Sequence, residues 1–458
     1  MLRRTLRPEA LALVFTAVTG AAMAIGVQQS PHGVRPIVDE RYYVEWALSI
    51  AQGHVIGDAP FWLDPLHAYL LGFVFWLTKG SLLAGRLFNV ALGVGTVALV
   101  GAIARTLWSR REGALAMWLL ALYAPHTFMF GFLMKEALVV HLAAWALLLA
   151  VRGPGAAFGL TLGLLWVARG NFVALVPFAL AWAAWQLRKT PLRIAALLVC
   201  TAAPLAAASA HNLAAGGSWR PMTALAGPNF YYGNNPDANG VFKPLPFVKA
   251  RTYDEKVEFL AEAERRVGHA LTQQEMSDYW LRQGLQFWRE HPGQGLWLLA
   301  KKVWFVVHDY EAPDTYPQSC FKRWLTPVLW GLPLSFGLLL GLALVGAWSA
   351  SRRAWPLIAF AALYAGTIVV FFVFDRYRIP LCVPLCVFAA HGLTWLHDRR
   401  LPWRAFAVVV AATVVSIAPS PASVEADDRD RFCAFQIAGQ LEADGLHDEA
   451  RLWHERAK

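Results

Sequence analysis

Asp39 and Glu40 stand side by side in the stretch Val38-Asp39-Glu40-Arg41-Tyr42-Tyr43, a short way past the first apolar segment of the chain. Two carboxylates at a membrane–water boundary can serve as a general base and its helper. They can equally cap a short surface helix, since acids favour a helix N-terminus. What else the chain places on the same side decides between these readings. Lys135-Glu136 follows Phe128-Met129-Phe130-Gly131-Phe132-Leu133-Met134 with no polar linker, and Arg169 interrupts another apolar stretch. Asp375-Arg376-Tyr377-Arg378-Ile379-Pro380 sets two arginines about a tyrosine just before a further apolar helix. Charges in such places are expensive unless they pair or meet a ligand. Arginine forks and helix starts are natural seats for phosphate oxygens. Singly, each has a plainer reading: Lys135 and Glu136 as a local ion pair, Arg169 as a snorkelling anchor, Arg376 and Arg378 as contacts to lipid headgroups. Together on one face, the cations suit a phosphate and the carboxylates suit base work. That combination fits transfer of a group from a lipid phosphate at a membrane surface.

The elements that must position these residues are membrane helices. Of 458 residues, 57% are hydrophobic and only 16% charged, with 21 Trp, whereas soluble chains carry about 25% charged residues. The net charge of +10 is scattered in small basic groups between apolar runs, a pattern of membrane orientation rather than of a nucleic-acid-tracking face. Apolar runs fall at 10–27, 82–106, 113–132, 136–151, 156–168, 171–187, 191–210, 324–348, 354–373, 379–396 and 402–419. The first run has the look of a signal peptide, but so many further spans follow that an uncleaved first transmembrane helix is expected. Pro65–Leu77 is short and bounded by Pro65 and Lys79-Gly80, so it reads as a re-entrant or interfacial helix. With the N-terminus inside beside Arg3, Arg4 and Arg7, eleven spans then put every basic cluster inside: Arg105/Arg110/Arg111, Arg152, Arg188/Lys189/Arg193, Arg352/Arg353 and Arg399/Arg400/Arg404. The expected fold is an all-α polytopic membrane protein of the inner (plasma) membrane, its site facing the periplasm or outside. An N-terminal transmembrane module (1–210) would carry the acidic pair on a first outer loop (28–81), followed by a mostly helical outer domain (211–322), C-terminal spans (323–420) and a polar helical tail (421–458).

The outer domain has two textures. Residues 217–246 are dense in turn formers. Within them Phe230, Tyr231 and Tyr232 beside Asn229, Asn234 and Asn235 suit sugar faces and hydroxyls, or equally a packed lid. Beyond 252 the pattern is helical, with a capping box at Thr272–Glu275 and a break at Pro292 before a run that can rest on the membrane surface. The tail, Phe435–Ala457, resembles one hairpin of a tetratricopeptide-type repeat, an appendage or docking surface that cannot bury a core by itself. Cys382 and Cys386 lie within an apolar run, while Cys320 and Cys433 both fall outside the membrane and are free to pair or not.

Several of these motifs resemble the GT-C glycosyltransferases, nearest to glycosyltransferase family 39, the protein O-mannosyltransferases and bacterial lipid A aminoarabinose transferases. They are Asp39-Glu40-Arg41-Tyr42-Tyr43, Asp64-Pro65-Leu66-His67-Ala68-Tyr69-Leu70-Leu71-Gly72, Gly85-Arg86-Leu87-Phe88-Asn89, Asn229-Phe230-Tyr231-Tyr232-Gly233-Asn234-Asn235-Pro236 and Asp375-Arg376-Tyr377-Arg378-Ile379-Pro380. Their order and common face carry the likeness from the N-terminus to about residue 397, the tail excluded. The resemblance implies a polyprenyl-phosphate sugar donor, a lipid, glycan or protein acceptor on the outer side, and transfer with inversion. It implies Asp39 as the acid–base or acceptor-activating carboxylate and Glu40 as the second acid of the pair. The family has two prolines or a lysine before the re-entrant helix where this chain has Asp64-Pro65. The phosphate contact is then expected from Lys135, Arg169, Arg376 or Arg378, or is absent. Tyr42, Tyr43, Asp64, His67, Glu136, Tyr231, Asn234 and Asn235 complete the expected substrate contacts. No cofactor is implied, although Asp39, Glu40 and Asp64 could together hold a divalent ion.

A sugar on a lipid monophosphate already has a good leaving group, so cations that neutralise the departing phosphate and one base near the acceptor hydroxyl suffice. Two other classes remain open at this point. One is an O-antigen ligase or polymerase using lipid-diphosphate glycans, although an acidic pair after the first span is not its usual mark. The other is a non-enzymatic transporter or assembly partner, although no internal repeat is visible and the charges gather at one surface rather than mid-membrane.

Overall fold

Among the described residues, eleven helices fall within the apolar runs of the sequence, five of them long and apolar enough to cross a membrane once flanking turns are counted. The computed structural model describes residues 7–221, 223–248, 252–399, 402–418, 426–443 and 445–457. In chain order the main helices are α1 (Pro8–Gln28), α2 (Val38–Ala51), α3 (Leu66–Thr78), α4 (Leu82–Leu107), α5 (Arg110–Ala121), α6 (Glu136–Arg152), α7 (Ala156–Ala168), α8 (Leu175–Gln186) and α9 (Pro191–Ala214). Then come α10 (Thr252–Val267), α11 (Gln273–Glu290), α12 (Pro292–Val307), α13 (Phe336–Ser349), α14 (Trp355–Val370), α15 (Cys382–Asp398), α16 (Trp403–Ser416), α17 (Ala426–Ala443) and α18 (His447–Arg456). The described residues contain isolated bridges but no named strand. This is an all-α polytopic membrane protein.

Each of the eleven apolar runs holds one of α1, α4 to α9 and α13 to α16. The helices α1, α4 and α9, with α14 and α15 counted together with their flanking turns, are long and apolar enough to cross a membrane. Several others, such as α7, α8, α13 and α16, are shorter. Two runs are broken where a single span was expected. The run 113–132 stops as α5 at Ala121, because Tyr123 bridges to Pro333 and Pro125 then starts a new short helix. Phe128, Phe130 and Phe132 of the remainder are buried side chains that fill the bundle centre. The run 324–348 begins as short π and 3₁₀ turns and becomes an α-helix only from Phe336, after Pro327 and Pro333.

α3 is not a span. It lies against α2, with Gly72 meeting Ile50 and the Ala47 carbonyl. Lys79 (φ 55°) and Gly80 (φ 82°) then turn the chain back, in the left-handed region that favours glycine. Ser81 caps α4, and Gly85 of α4 packs under Leu71 and Phe75. At the opposite end of the bundle Arg110 pairs with Glu9 (2.5 Å), Trp118 donates to the Pro8 carbonyl (3.2 Å) and Arg111 meets Asp398 (3.3 Å). The N-terminus of α1, the start of α5 and the end of α15 therefore share one face, as the orientation rule requires. Arg3, Arg4 and Arg400 lie outside the described residues.

The outer helices form a cover with its own core. α11 begins in the capping box of Thr272 and Glu275 and buries Met276, Trp280 and Phe287. Around Trp280 gather Phe259 of α10, Tyr232, Phe372 and Tyr43 of α2, so the cover and the first outer loop share one apolar cluster. Burying such aromatics contributes roughly 1.5–3 kcal/mol each, enough to fix the cover over the bundle end. The tail is more than an appendage. Cys320 and Cys433 form a disulfide, and the α17–α18 hairpin completes its core on Cys320 and Trp324. In a Cys200→Ser background, a membrane-impermeant maleimide should leave Cys320 and Cys433 unlabelled in untreated protein and label both after reduction; labelling without reduction would refute the staple.

Candidate active site

A cavity of about 1230 Å³ opens between the bundle end, the cover and the tail. Asp39, Asp64, Lys135, Asp314 and Arg376 line it, together with Asn229, Asp254 and Glu255 from the cover. Its geometry is set by α2. The chain enters α2 extended at Ile37, and Val38 takes φ 48°. A β-branched residue in that region is strained by roughly 1–3 kcal/mol. The strain is held in place because Tyr316 Oη accepts from Ile37 N (3.2 Å) and donates to Glu40 Oε2 (2.6 Å).

Successive helical residues point about 100° apart, so Asp39 and Glu40 cannot share a target. Asp39 faces the cavity and its Oδ2 accepts from Arg376 Nη2 at 2.8 Å. Glu40 points into the protein. It is fully buried, accepts from Leu133 N (2.8 Å) and lies 3.4 Å from Arg86 Nη2. Burial raises its proton affinity against the pull of Arg86, Tyr316 and the Leu133 amide. Glu40 is therefore corrected from catalytic acid to a clamp between α2, α4 and the Phe132–Leu133 turn. Asp39 and Glu40 thus do not converge on one point, and among the described residues no group of three or more His, Cys, Asp or Glu could hold a metal ion.

The same geometry separates the two arginines. Residues i and i+2 of a helical turn face apart, and Asp375–Arg378 is such a turn. Arg376 reaches the cavity, where Nη2 also pairs with Asp314 and Nη1 lies 3.7 Å from Glu136. Arg378 turns back into the bundle. It donates to the carbonyls of Phe305 (3.3 Å), Val306 (3.4 Å), His308 and Tyr310 (3.2 Å), pairs with Glu311, and stacks on Phe336. It ties the end of α12 to the spans and is not a phosphate ligand. Arg169 is likewise withdrawn. Its Nη2 pairs with Glu136 at 2.6 Å, its Nη1 donates to Tyr364 Oη at 3.2 Å, and it lies buried over the Tyr377 ring. Of the four expected phosphate contacts, Lys135 and Arg376 face the cavity.

Lys135 pairs with Asp64 Oδ2, and Asp64 Oδ1 accepts from Gly170 N (3.0 Å). This pair brings together α3, α6 and the turn after α7. The remaining expected contacts are structural. Tyr43 is buried and donates to the Asp64 carbonyl (3.2 Å), with His67 buried edge-on to its ring. Tyr42 packs on Trp46, and Tyr231 on Trp280. Glu136 is buried behind Arg376. Asn234 donates to the Phe230 and Val370 carbonyls and accepts from Trp288 and Lys302. Asn235 donates to the Tyr231 and Tyr232 carbonyls. The lid reading of this loop is the one its hydrogen bonds follow.

Sequence reasoning passed over Asp314 and Glu255. Asp314 stands in Glu311-Ala312-Pro313-Asp314-Thr315-Tyr316-Pro317, and an acid set between two prolines was the available signal. Glu255 on α10 accepts from Tyr232 Oη (2.7 Å). Burial, reinforced by Asp39 and Asp314 and opposed by the Tyr232 hydrogen bond, lifts its pKa to about 8.

No protein-family model matches the chain, and no curated protein sequence does. Among solved structures it is similar to ArnT from Cupriavidus metallidurans bound to undecaprenyl phosphate, with 14% identity and a TM-score of 0.47, over 98% of this chain and 75% of that one. It is also similar to the oligosaccharyltransferase AglB from Archaeoglobus fulgidus in complex with an inhibitory peptide and a dolichol-phosphate, with 14% identity and a TM-score of 0.43. That match covers 96% of this chain, which spans only 59% of the AglB length.

Two outcomes follow from the buried carboxyls. Breaking a buried ion pair costs about 3–5 kcal/mol, so Glu40→Ala should sharply lower the thermal midpoint in detergent. Glu40→Gln, which keeps an acceptor for Leu133 N, should lose less than half as much; equal losses would contradict the clamp. Glu255 keeps its proton to about pH 8 when folded, against an ordinary value of 4.5. The folded state thus binds more protons in that window, and stability falls as pH rises from 4.5 to 8. Glu255→Gln should flatten that slope in a pH series of thermal midpoints.

Proposed function

We propose that the chain is a glycosyltransferase that moves a sugar from a polyprenyl-phosphate carrier to an acceptor hydroxyl, at the outer face of the inner (plasma) membrane. The observation that carries this reading is Arg376 held between Asp39 and Asp314 on a cavity wall that also presents Lys135. Lys135, Trp166 and Val167, at the ends of the apolar helices α6 and α7, also line the cavity, which supports a route for a lipid carrier.

In the proposed reaction Lys135 and Arg376 bind the donor phosphate and stabilise the charge it gains as the bond from its oxygen to the sugar C1 breaks. Phosphate competes with the carboxylates for Arg376, and Asp39 is released toward the acceptor. Asp39 then takes the hydroxyl proton as the acceptor oxygen bonds to C1 from the opposite face, so the anomeric configuration inverts in one displacement. Asp314 remains as counter-charge to Arg376. Glu40 has no part in the chemistry and acts through the placement of α2.

The test is transfer in proteoliposomes from a panel of radiolabelled undecaprenyl-phosphate sugars to membrane acceptors. Loss of a general base or of a charge-stabilising donor costs about 10²–10⁴ in rate, so Asp39→Asn and Arg376→Ala should each fall at least a hundredfold. Full transfer by both variants would sink the proposal. Transfer only from an undecaprenyl-diphosphate oligosaccharide would assign the ligase-type chemistry instead.

A further inference from the structure

The proposed chemistry makes no use of the C-terminal hairpin, yet α17 lines the same cavity through Phe432, Gln436, Gly439 and Gln440. Their spacing of four, three and one puts them along one face of a helix. The opposite face is fixed. Cys433 is disulfide-bonded to Cys320, and the buried Asp430 accepts from Ser319 Oγ (2.5 Å) and lies 3.7 Å from Arg323. Ile437, Ala438 and Leu441 lie in the hairpin core. The stripe is therefore presented to the cavity by a rigid element.

We propose that this stripe is the acceptor subsite, and that the acceptor it takes is an uncharged carbohydrate. This rests on the transferase reading above and names the second substrate of that site. The proposed reading brings the lipid carrier in past Lys135, Trp166 and Val167, so the side formed by α17 is left for the acceptor. The chemistry of the stripe selects among acceptors. It holds no charge. Gln436 offers a carboxamide that can donate and accept, matching the dual character of sugar hydroxyls, while Gln440 Nε2 donates to the Arg35 carbonyl (3.5 Å) and anchors the stripe. Phe432 is 59% exposed, an aromatic face kept in water at the cavity edge, suited to the C–H face of a sugar ring. A side-chain carbon added at Gly439 would meet nothing within 4 Å, so there is open room in front of the stripe. A peptide acceptor in extended form would instead seek unpaired backbone groups, which the interior of α17, hydrogen-bonded within itself, does not offer.

The experiment uses the full chain in lipid nanodiscs, probed with an array of neutral and acidic oligosaccharides, an array of Ser/Thr-rich peptides, and undecaprenyl phosphate. Wild type should capture neutral glycans. Gln436→Ala and Gly439→Phe should weaken that capture at least tenfold while binding undecaprenyl phosphate within twofold of wild type. Capture of peptides rather than neutral glycans, or glycan capture unaffected by Gly439→Phe, would overturn the proposal. So would a folded wild-type protein that captures no neutral glycan. Failure of wild type to bind undecaprenyl phosphate would instead overturn the donor reading, leaving the glycan arm to be judged separately.

Discussion

The arrangement depends on one guanidinium. Arg376 is buried at the mouth of the bundle and meets Asp39 from the first outer loop, Asp314 from the segment after α12, and Glu136 from the start of α6. A charge in such a place is tolerated only when it is paired and hydrogen-bonded. The pairing therefore joins segments as far apart as residues 39 and 376 in the chain. Around it the other buried charges fall into an ordered set. Arg169 neutralises Glu136, Tyr377 lies under both arginines, and Arg378 is spent on carbonyls at the end of α12. In this lattice of compensated charges Arg376 and Lys135 meet the cavity with their partners Asp39, Asp314 and Asp64, while Glu136, Arg169 and Arg378 lie behind it.

The fold was legible because membrane helices announce themselves through length, apolarity and the sign of their flanking charge. The eleven runs, a separate short helix at Leu66–Thr78 and the capping box at Thr272 all correspond to elements of the structure. What composition could not reveal was where an apolar run stops being helix. The aromatic stretch Phe128–Phe132 is as hydrophobic as a span, yet it is needed as irregular packing beneath the site. The site was legible by residue type but not by direction. Asp39 with Glu40, and Arg376 with Arg378, look like pairs on paper, while helical geometry turns each pair into one residue facing the cavity and one facing the core. Asn234 and Asn235 looked ligand-facing for a similar reason. An asparagine that satisfies loop carbonyls reads the same in sequence as one that meets a sugar.

The partners that sequence reasoning missed come from segments remote in the chain. Asp314, Glu255 and Gln436 reach the cavity only because the cover and tail fold back onto the bundle end. The cover does so through the aromatic cluster around Trp280, and the tail through the Cys320–Cys433 link. Neither packing has a periodic signature, because each is a meeting of surfaces rather than a local pattern.

A cavity whose cations already have carboxylate partners is a reasonable place for a phosphate that must arrive and leave. Bare Lys135 and Arg376 in a partly dry cavity would carry a large desolvation cost and would hold any anion strongly, the departing carrier included. With Asp64 on Lys135, and with Asp39 and Asp314 on Arg376, an incoming phosphate replaces a carboxylate instead of filling an empty site. The net gain on binding is then small, and the displaced group is not idle. In the proposed transfer the carboxylate freed from Arg376 is Asp39, already beside the place where an acceptor hydroxyl must lose its proton. The strain at Val38 and the clamp at Glu40 fix the start of α2, so Asp39 can change partners without the helix moving.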